Sequence, residues 1–237
     1  MKTKKLSTNL LKKGSLLALT ALIFTACSKD KSTPQPDIQI GKIALLISSP
    51  GAPELTFRVN GQAATTEKAL TYNTVIGYGN IRAGATEFSF TKKGGTEVLA
   101  KITGTIKPST GYTLIVGDKS PKATLVLVED DFSAPAAEKA KVRFANLSPD
   151  ATVLDLYVAG KTDAGLSKKA FKDVSGFINV DPGAELKLEI KENGKTDVLA
   201  TLDKVKVEKG KIYTIWANGI KGATDATKLG ISVMTNK

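Results

Sequence analysis

The 237-residue chain has no histidine and one cysteine, Cys27. Without histidine, the commonest general base and the commonest transition-metal ligand are missing. A single thiol allows no intrachain disulfide, so stability has to come from buried apolar area. Aromatic residues make up only 6% of the chain, with Trp216 the one tryptophan, so the stacking platforms that carbohydrate binding needs are scarce. No transmembrane helix is expected either. The nine-residue apolar run Leu16 to Phe24 rises only about 14 Å as a helix, against a hydrocarbon core of roughly 30 Å.

What surrounds that run is more telling. Lys2, Lys4, Lys5, Lys12 and Lys13 give a basic start, and the small residues Thr25 and Ala26 lead into Cys27. This resembles a bacterial lipoprotein signal, in the relaxed Bacteroidetes-type form, with Phe24 where leucine is usual. The resemblance implies cleavage of residues 1–26, lipid on the Cys27 thiol and membrane attachment through that lipid. Each acyl methylene adds roughly 0.8 kcal/mol of membrane affinity, so several chains anchor firmly. Residues 28–40, SKDKSTPQPDIQI, are polar and carry Pro34 and Pro36. Residues 27–40 therefore read as a lipidated cysteine with a flexible tether, reaching about 35 to 40 Å when extended. Ser28, Lys29 and Asp30 resemble the short signals that send such lipoproteins to the cell surface, although Lys31 stands where a second acid is expected. The expected address is the cell envelope, as an outer-membrane lipoprotein, with the surface and periplasmic faces both open.

The net charge of +11 partly belongs to the signal, whose five lysines are matched by no acid, and residues 27–237 carry +6. That excess is spread among mixed signs, as from Glu189 to Lys195. It reads as a solvated lysine-rich surface. With no binding motif and no dense arginine stripe, no nucleic-acid partner is expected.

The rest of the chain repeats itself. Lys42, Ser49, Pro50, Leu55, Val59 and Gly61 match Lys141, Ser148, Pro149, Leu154, Val158 and Gly160 at an offset of 99. The same offset carries Gly77, Tyr78, Asn80, Ile81 and Gly84 onto Gly176, Phe177, Asn179, Val180 and Gly183. Phe88 and Phe90 then match Leu188 and Ile190 at 100, and Tyr112, Thr113 and Leu114 match Tyr213, Thr214 and Ile215 at 101. One added residue in a strand would turn every following side chain to the opposite face, so the first insertion is expected in the turn near Gly84.

Leu55, Phe57 and Val59 alternate with polar neighbours, as do Leu186, Leu188 and Ile190, the period of half-buried strands. Gly94-Gly95 and Asn193-Gly194 sit between apolar runs as hairpin cues. The chain is therefore expected to be all-β: two tandem antiparallel β-sandwich domains of about seven strands each. Their expected bounds are residues 41–128 and 140–237, joined by a linker over residues 129–139. Tyr112 and Tyr213 fit tyrosine corners, in which the hydroxyl bonds upstream backbone.

A family resemblance rests on the run Lys141 to Ala151, KVRFANLSPDA, followed by Leu154-Asp155-Leu156-Tyr157-Val158 and Gly160. Gly176-Phe177 and Asp181-Pro182-Gly183 continue it, and Ile43 through Ser49-Pro50-Gly51-Ala52 repeats it more loosely. These segments resemble the domain of unknown function 4397. The resemblance implies tandem immunoglobulin-like domains in secreted or lipid-anchored bacterial proteins, and it implies no activity.

Candidate chemistry is thin. Ser148 sits in an Asn-Leu-Ser-Pro-Asp turn with no partner base and reads as turn chemistry. Glu129, Asp130 and Asp131 lack the ligand spacing of a calcium loop, so no metal is expected. Gly165 ahead of Lys168 and Lys169 lacks the second glycine of a phosphate loop, and no cofactor is expected. Trp216 is the candidate ligand contact, because it lies out of phase with Tyr213, Ile215 and Ala217, although its counterpart Ile115 is apolar and points to both faces being covered. The expectation is a non-enzymatic binding, adhesive or spacer module, with a protein or glycan ligand; the alternative is a glycan-binding component of a polysaccharide-capture system.

Overall fold

The structure, a computed structural model, describes residues 37–162 and 165–237. The expected signal, Cys27 and all of the tether before Asp37 lie outside the described residues. Residues 38–237 form one compact unit.

The first copy builds strands β1 (Ile40–Ile47), β2 (Leu55–Val59), β3 (Gln62–Ala63), β4 (Val75–Arg82), β5 (Gly84–Lys92), β6 (Val98–Ile106), β7 (Gly111–Gly117) and β8 (Thr124–Asp130). The second repeats them as β9 (Ala140–Asn146), β10 (Leu154–Val158), β11 (Leu166–Lys169), β12 (Ile178–Val180), β13 (Gly183–Glu192), β14 (Val198–Val207), β15 (Ile212–Asn218) and β16 (Gly230–Thr235). Each copy is a sandwich of two four-stranded sheets, in the orders β4-β1-β7-β8 and β3-β2-β5-β6, then β12-β9-β15-β16 and β11-β10-β13-β14. The described body is all-β, as the alternation predicts. Each sandwich has eight strands where about seven are expected, because the short β3 and β11 pair at the sheet edges. All pairings between these strands are antiparallel except β1 with β7 and β9 with β15, where the chain returns from the other sheet and pairs parallel.

Alternating side chains fill each core. In the first sandwich Leu55 and Phe57 meet Phe88 and Phe90, with the Phe57 and Phe90 rings stacked at 5.1 Å, and Leu45, Ile47 and Leu114 close over them from the facing sheet. In the second, Leu154, Leu156, Leu188 and Ile190 meet Val142, Phe144 and Ile215. Both tyrosine corners form: the Lys107 N–H donates to the Tyr112 hydroxyl at 3.2 Å, and the Glu208 N–H donates to the Tyr213 hydroxyl at 3.0 Å.

The first insertion does not sit in a turn. Between the pairs Gly183 with Val207 and Leu186 with Val205, β13 gains one residue on its partner; between Leu186 with Val205 and Leu188 with Leu202, β14 gains one back. The equivalent ladder of β5 and β6 runs without a shift from Gly84 with Ile106 to Phe88 with Ile102. The changes of offset to 100 and to 101 are thus two opposed bulges in one ladder, the second marked by Lys204 at φ 57°. Each bulge would flip the faces, and together they restore them. The expected linker also shortens, because Glu129 and Asp130 belong to β8.

Replacing Tyr213 with Phe leaves the Glu208 N–H without this acceptor and is expected to cost about 0.5–1.5 kcal/mol. Urea unfolding should report it as a lower midpoint at unchanged slope.

Candidate functional site

Three strands, β7, β9 and β15, are buried along their whole length. A strand in an isolated sandwich buries only alternate residues. The second face of these strands is covered by the other copy: Ala44, Leu46 and Ile115 of the first sandwich pack with Ala145, Leu147, Trp216 and Met234 of the second, flanked by Val75, Val126, Val128 and Val174. The sheet β4-β1-β7-β8 thus lies against the sheet β12-β9-β15-β16.

Trp216 stands at the centre of this layer. It is 1% exposed, and the expected ligand contact is corrected accordingly. Its outward phase is real, but the first sandwich occupies the face onto which it points. Burying large side chains such as Leu46, Leu147, Ile115 and Trp216 is worth about 1.5–3 kcal/mol apiece, so this layer supplies most of the attraction between the copies.

At one edge of the apolar layer lies a polar network that sequence reading missed. The Arg143 side chain is 1% exposed and that of Asp130 is fully buried, with Nη2 of Arg143 2.6 Å from Oδ1 of Asp130. This contact lies off hydrogen-bond alignment, since Oδ1 has no hydrogen-bond partner. The guanidinium donates from Nε to the Thr214 hydroxyl at 2.8 Å and from Nη2 to the Thr113 hydroxyl at 3.0 Å. Oδ2 of Asp130 accepts from the Tyr78 hydroxyl at 2.7 Å and the Thr113 hydroxyl at 2.8 Å. Thr214 donates onward to Oδ1 of Asn236 at 2.7 Å, and Nδ2 of Asn236 donates to the Tyr78 hydroxyl at 2.7 Å. The loop of bonds closes, crossing between the copies at the ion pair, at the Arg143–Thr113 bond and at the Tyr78–Asn236 bond. Burial first, and then the Asp130 charge, push the Tyr78 hydroxyl well above its ordinary range, so it stays a donor.

The connection between the sandwiches is docked as well. Lys141 Nζ pairs with Asp131 at 2.8 Å and donates to the Ser133 hydroxyl at 2.6 Å. The Ala136 N–H donates to Asn179 at 2.9 Å, and the Phe132 ring meets Tyr78 edge-on at 5.1 Å. A Cβ on Gly111 would run into the Phe132 ring, which accounts for glycine there.

The other sequence candidates take structural places. Ser148 is buried and donates to the Gly219 carbonyl at 2.7 Å, tying the loop after β9 to the loop after β15. Of the acidic run, Asp130 enters the network, Asp131 pairs with Lys141, and Glu129 pairs with Lys107 at 2.8 Å. Among the described residues, no three acidic side chains converge as a metal-holding group. Several partly exposed rings are capped by cations: Tyr157 by Lys191 at 4.7 Å, Phe171 by Lys172 at 4.8 Å and Phe177 by Arg143 at 4.6 Å. A groove of about 340 Å³ at the far end from the linker is lined by Lys119, Pro121 and Lys122 of the first copy and Pro149, Asp150 and Ile220 of the second.

Arg143→Met strands a buried carboxylate and is expected to cost about 3–5 kcal/mol, whereas Asp130→Leu combined with Arg143→Met should recover most of that loss. Urea unfolding of the single and double variants gives the coupling. Hydrogen bonds from Lys141 first, and then from Ser133, lower the Asp131 carboxyl from its ordinary 3.8 to about 2. A lowered carboxyl stabilises the fold above its ordinary value, and that contribution is lost as pH falls toward the folded value. Asp131 is half exposed, so the effect is small. Unfolding midpoints at about pH 5 and about pH 2.5 should differ less in Asp131→Asn than in the native chain.

No curated protein matches the chain. Among solved structures, CBMbc of family CBM26 from Eubacterium rectale Amy13K, in complex with maltoheptaose, is 15% identical with a TM-score of 0.28, covering 83% of this chain and 97% of that one. A candidate cell adhesion protein from Parabacteroides distasonis is 9% identical with a TM-score of 0.25, covering 84% and 100%. At such scores these likenesses carry no argument about function. The sequence profile of the domain of unknown function DUF4397 matches residues 41–157, which cover the first sandwich and run on through β9 into β10, and again residues 148–237, which cover the second sandwich after β9. Between them the two matches span nearly all of the described body, and the chain belongs to the DUF4397 family, in tandem.

Proposed function

We propose that this chain is a lipid-anchored envelope protein that presents a fused pair of sandwiches as a non-enzymatic binding, adhesive or spacer module. The fused body carries the reading: two sandwiches sharing one buried layer, with a docked linker, hold the loops they present in a fixed arrangement. The Cys27 context supplies the anchor, and the polar stretch ahead of Ile40 supplies the tether. The chain enters the body at the end where β8 leaves and β9 begins, since the Ser109 N–H donates to the Ile40 carbonyl and Gly111 pairs with Asp130. The loops at the opposite end, including 118–123 and 148–153, are therefore clear of both the entry and the linker. The glycan alternative drew on Trp216 as a stacking platform, and its burial removes that contact.

In the native host, metabolic labelling with a palmitate analogue should mark the full-length protein and leave Cys27→Ala unlabelled. The native protein should sediment with membranes and the variant should not. Equal release of both into the soluble fraction would remove the anchor from the proposal. Protease shaving of intact cells assigns the face.

A further inference from the structure

The two copies present the same face to each other. Strand register and chain offset equate Ala44 with Arg143, Leu46 with Ala145, Thr113 with Thr214 and Ile115 with Trp216. They also equate Asp130 with Asn236 and Tyr78 with Phe177. The contacts are reciprocal. Asn73 of the first copy accepts from Asn218 of the second at 3.1 Å, and Lys172, the equivalent of Asn73, reaches back to Asp118, beside the equivalent of Asn218, at 3.5 Å. Tyr78 bonds Asn236 across the layer, while its equivalent Phe177 carries over its ring the guanidinium that reaches Asp130. Reciprocal contacts between equivalent positions are the mark of a two-fold, isologous interface.

The chemistry inside it is not two-fold. The first copy supplies the buried carboxylate Asp130 and, where the second has Arg143, only Ala44. The second supplies Arg143 and, where the first has Asp130, the neutral Asn236. Two first copies in this geometry would bury two carboxylates with no cation, and two second copies would bury two guanidinium groups with no carboxylate. Buried charge left unpaired is costly, while a matched buried pair roughly breaks even, so the pair discriminates between partners more than it attracts. Size is exchanged in the same way: Leu46 beside Ile115 in one copy faces Ala145 beside Trp216 in the other.

We infer that this face is a pairing surface coded for its complement: a first sandwich accepts a second, and neither accepts its own kind. The apolar layer supplies attraction common to every pairing, and the Asp130–Arg143 pair selects among them.

The inference does not depend on the proposed anchor. A specific-protease site inserted between Ser133 and Ala137 lets the full chain fold before it is cut. The two fragments should then stay together through gel filtration and appear in native mass spectrometry as one first-plus-second species. Mixing cut samples with and without nitrogen-15 label should produce exchanged first-plus-second pairs and no self-pairs. In the cut protein, Asp130→Arg should weaken pairing at least about tenfold by placing like charges together, and adding Arg143→Asp should restore most of it. Self-pairs as abundant as mixed pairs, fragments that separate on cutting, or Asp130→Arg pairing as tightly as the native chain would each overturn the inference. The cut native chain decides the question even if the charge variants do not fold.

Discussion

The body is organised by a layer that belongs to neither sandwich alone. β7, β9 and β15 have no solvent face, because the residues that point out of one sandwich are the core of the contact with the other. An isolated second sandwich would expose Trp216, Leu147 and Met234 together with the buried charge of Arg143. The docked linker and the continuous network around Asp130 follow from this, since both need the two sheets in fixed register. In this chain the two DUF4397 copies are sandwiches that complete each other rather than beads on a string.

Much of this was legible. The alternation of Leu55, Phe57 and Val59 gives β2, the tyrosines give both corners, and the offset of 99 gives the duplication. The place of the insertions was not, because register shifts are read from partners on a neighbouring strand. The shared layer was half legible: Ile115 and Trp216 are both apolar at an outward position, which says that something covers them but not what. Arg143 and Asp130 were hidden for a different reason. An ionisable residue in a strand reads as solvent-facing, and only the fold brings together two such residues from different copies. One usable signal was the comparison of the copies with each other, since Arg143 is a charged residue set against Ala44 in a stretch that is otherwise uncharged in both copies after Lys42 and Lys141, as far as Pro50 and Pro149.

The same physics bears on function. A body without disulfides or metal clusters among its described residues draws its rigidity from apolar burial, and sharing a layer lets each sandwich count the other as part of its core. Such a body suits the proposed role at the end of a lipid tether, where a hinge between the domains would let the displayed surface swing. The polar network adds little net attraction but leaves only one arrangement without a stranded charge.

Differential scanning calorimetry of residues 37–237 addresses that shared layer most directly. If the sandwiches stabilise each other through it, they should unfold in a single transition whose calorimetric and van't Hoff enthalpies agree. Two separable transitions, one for each sandwich and each insensitive to substitution of Arg143 or Trp216, would mean that the copies are independent domains in mere contact.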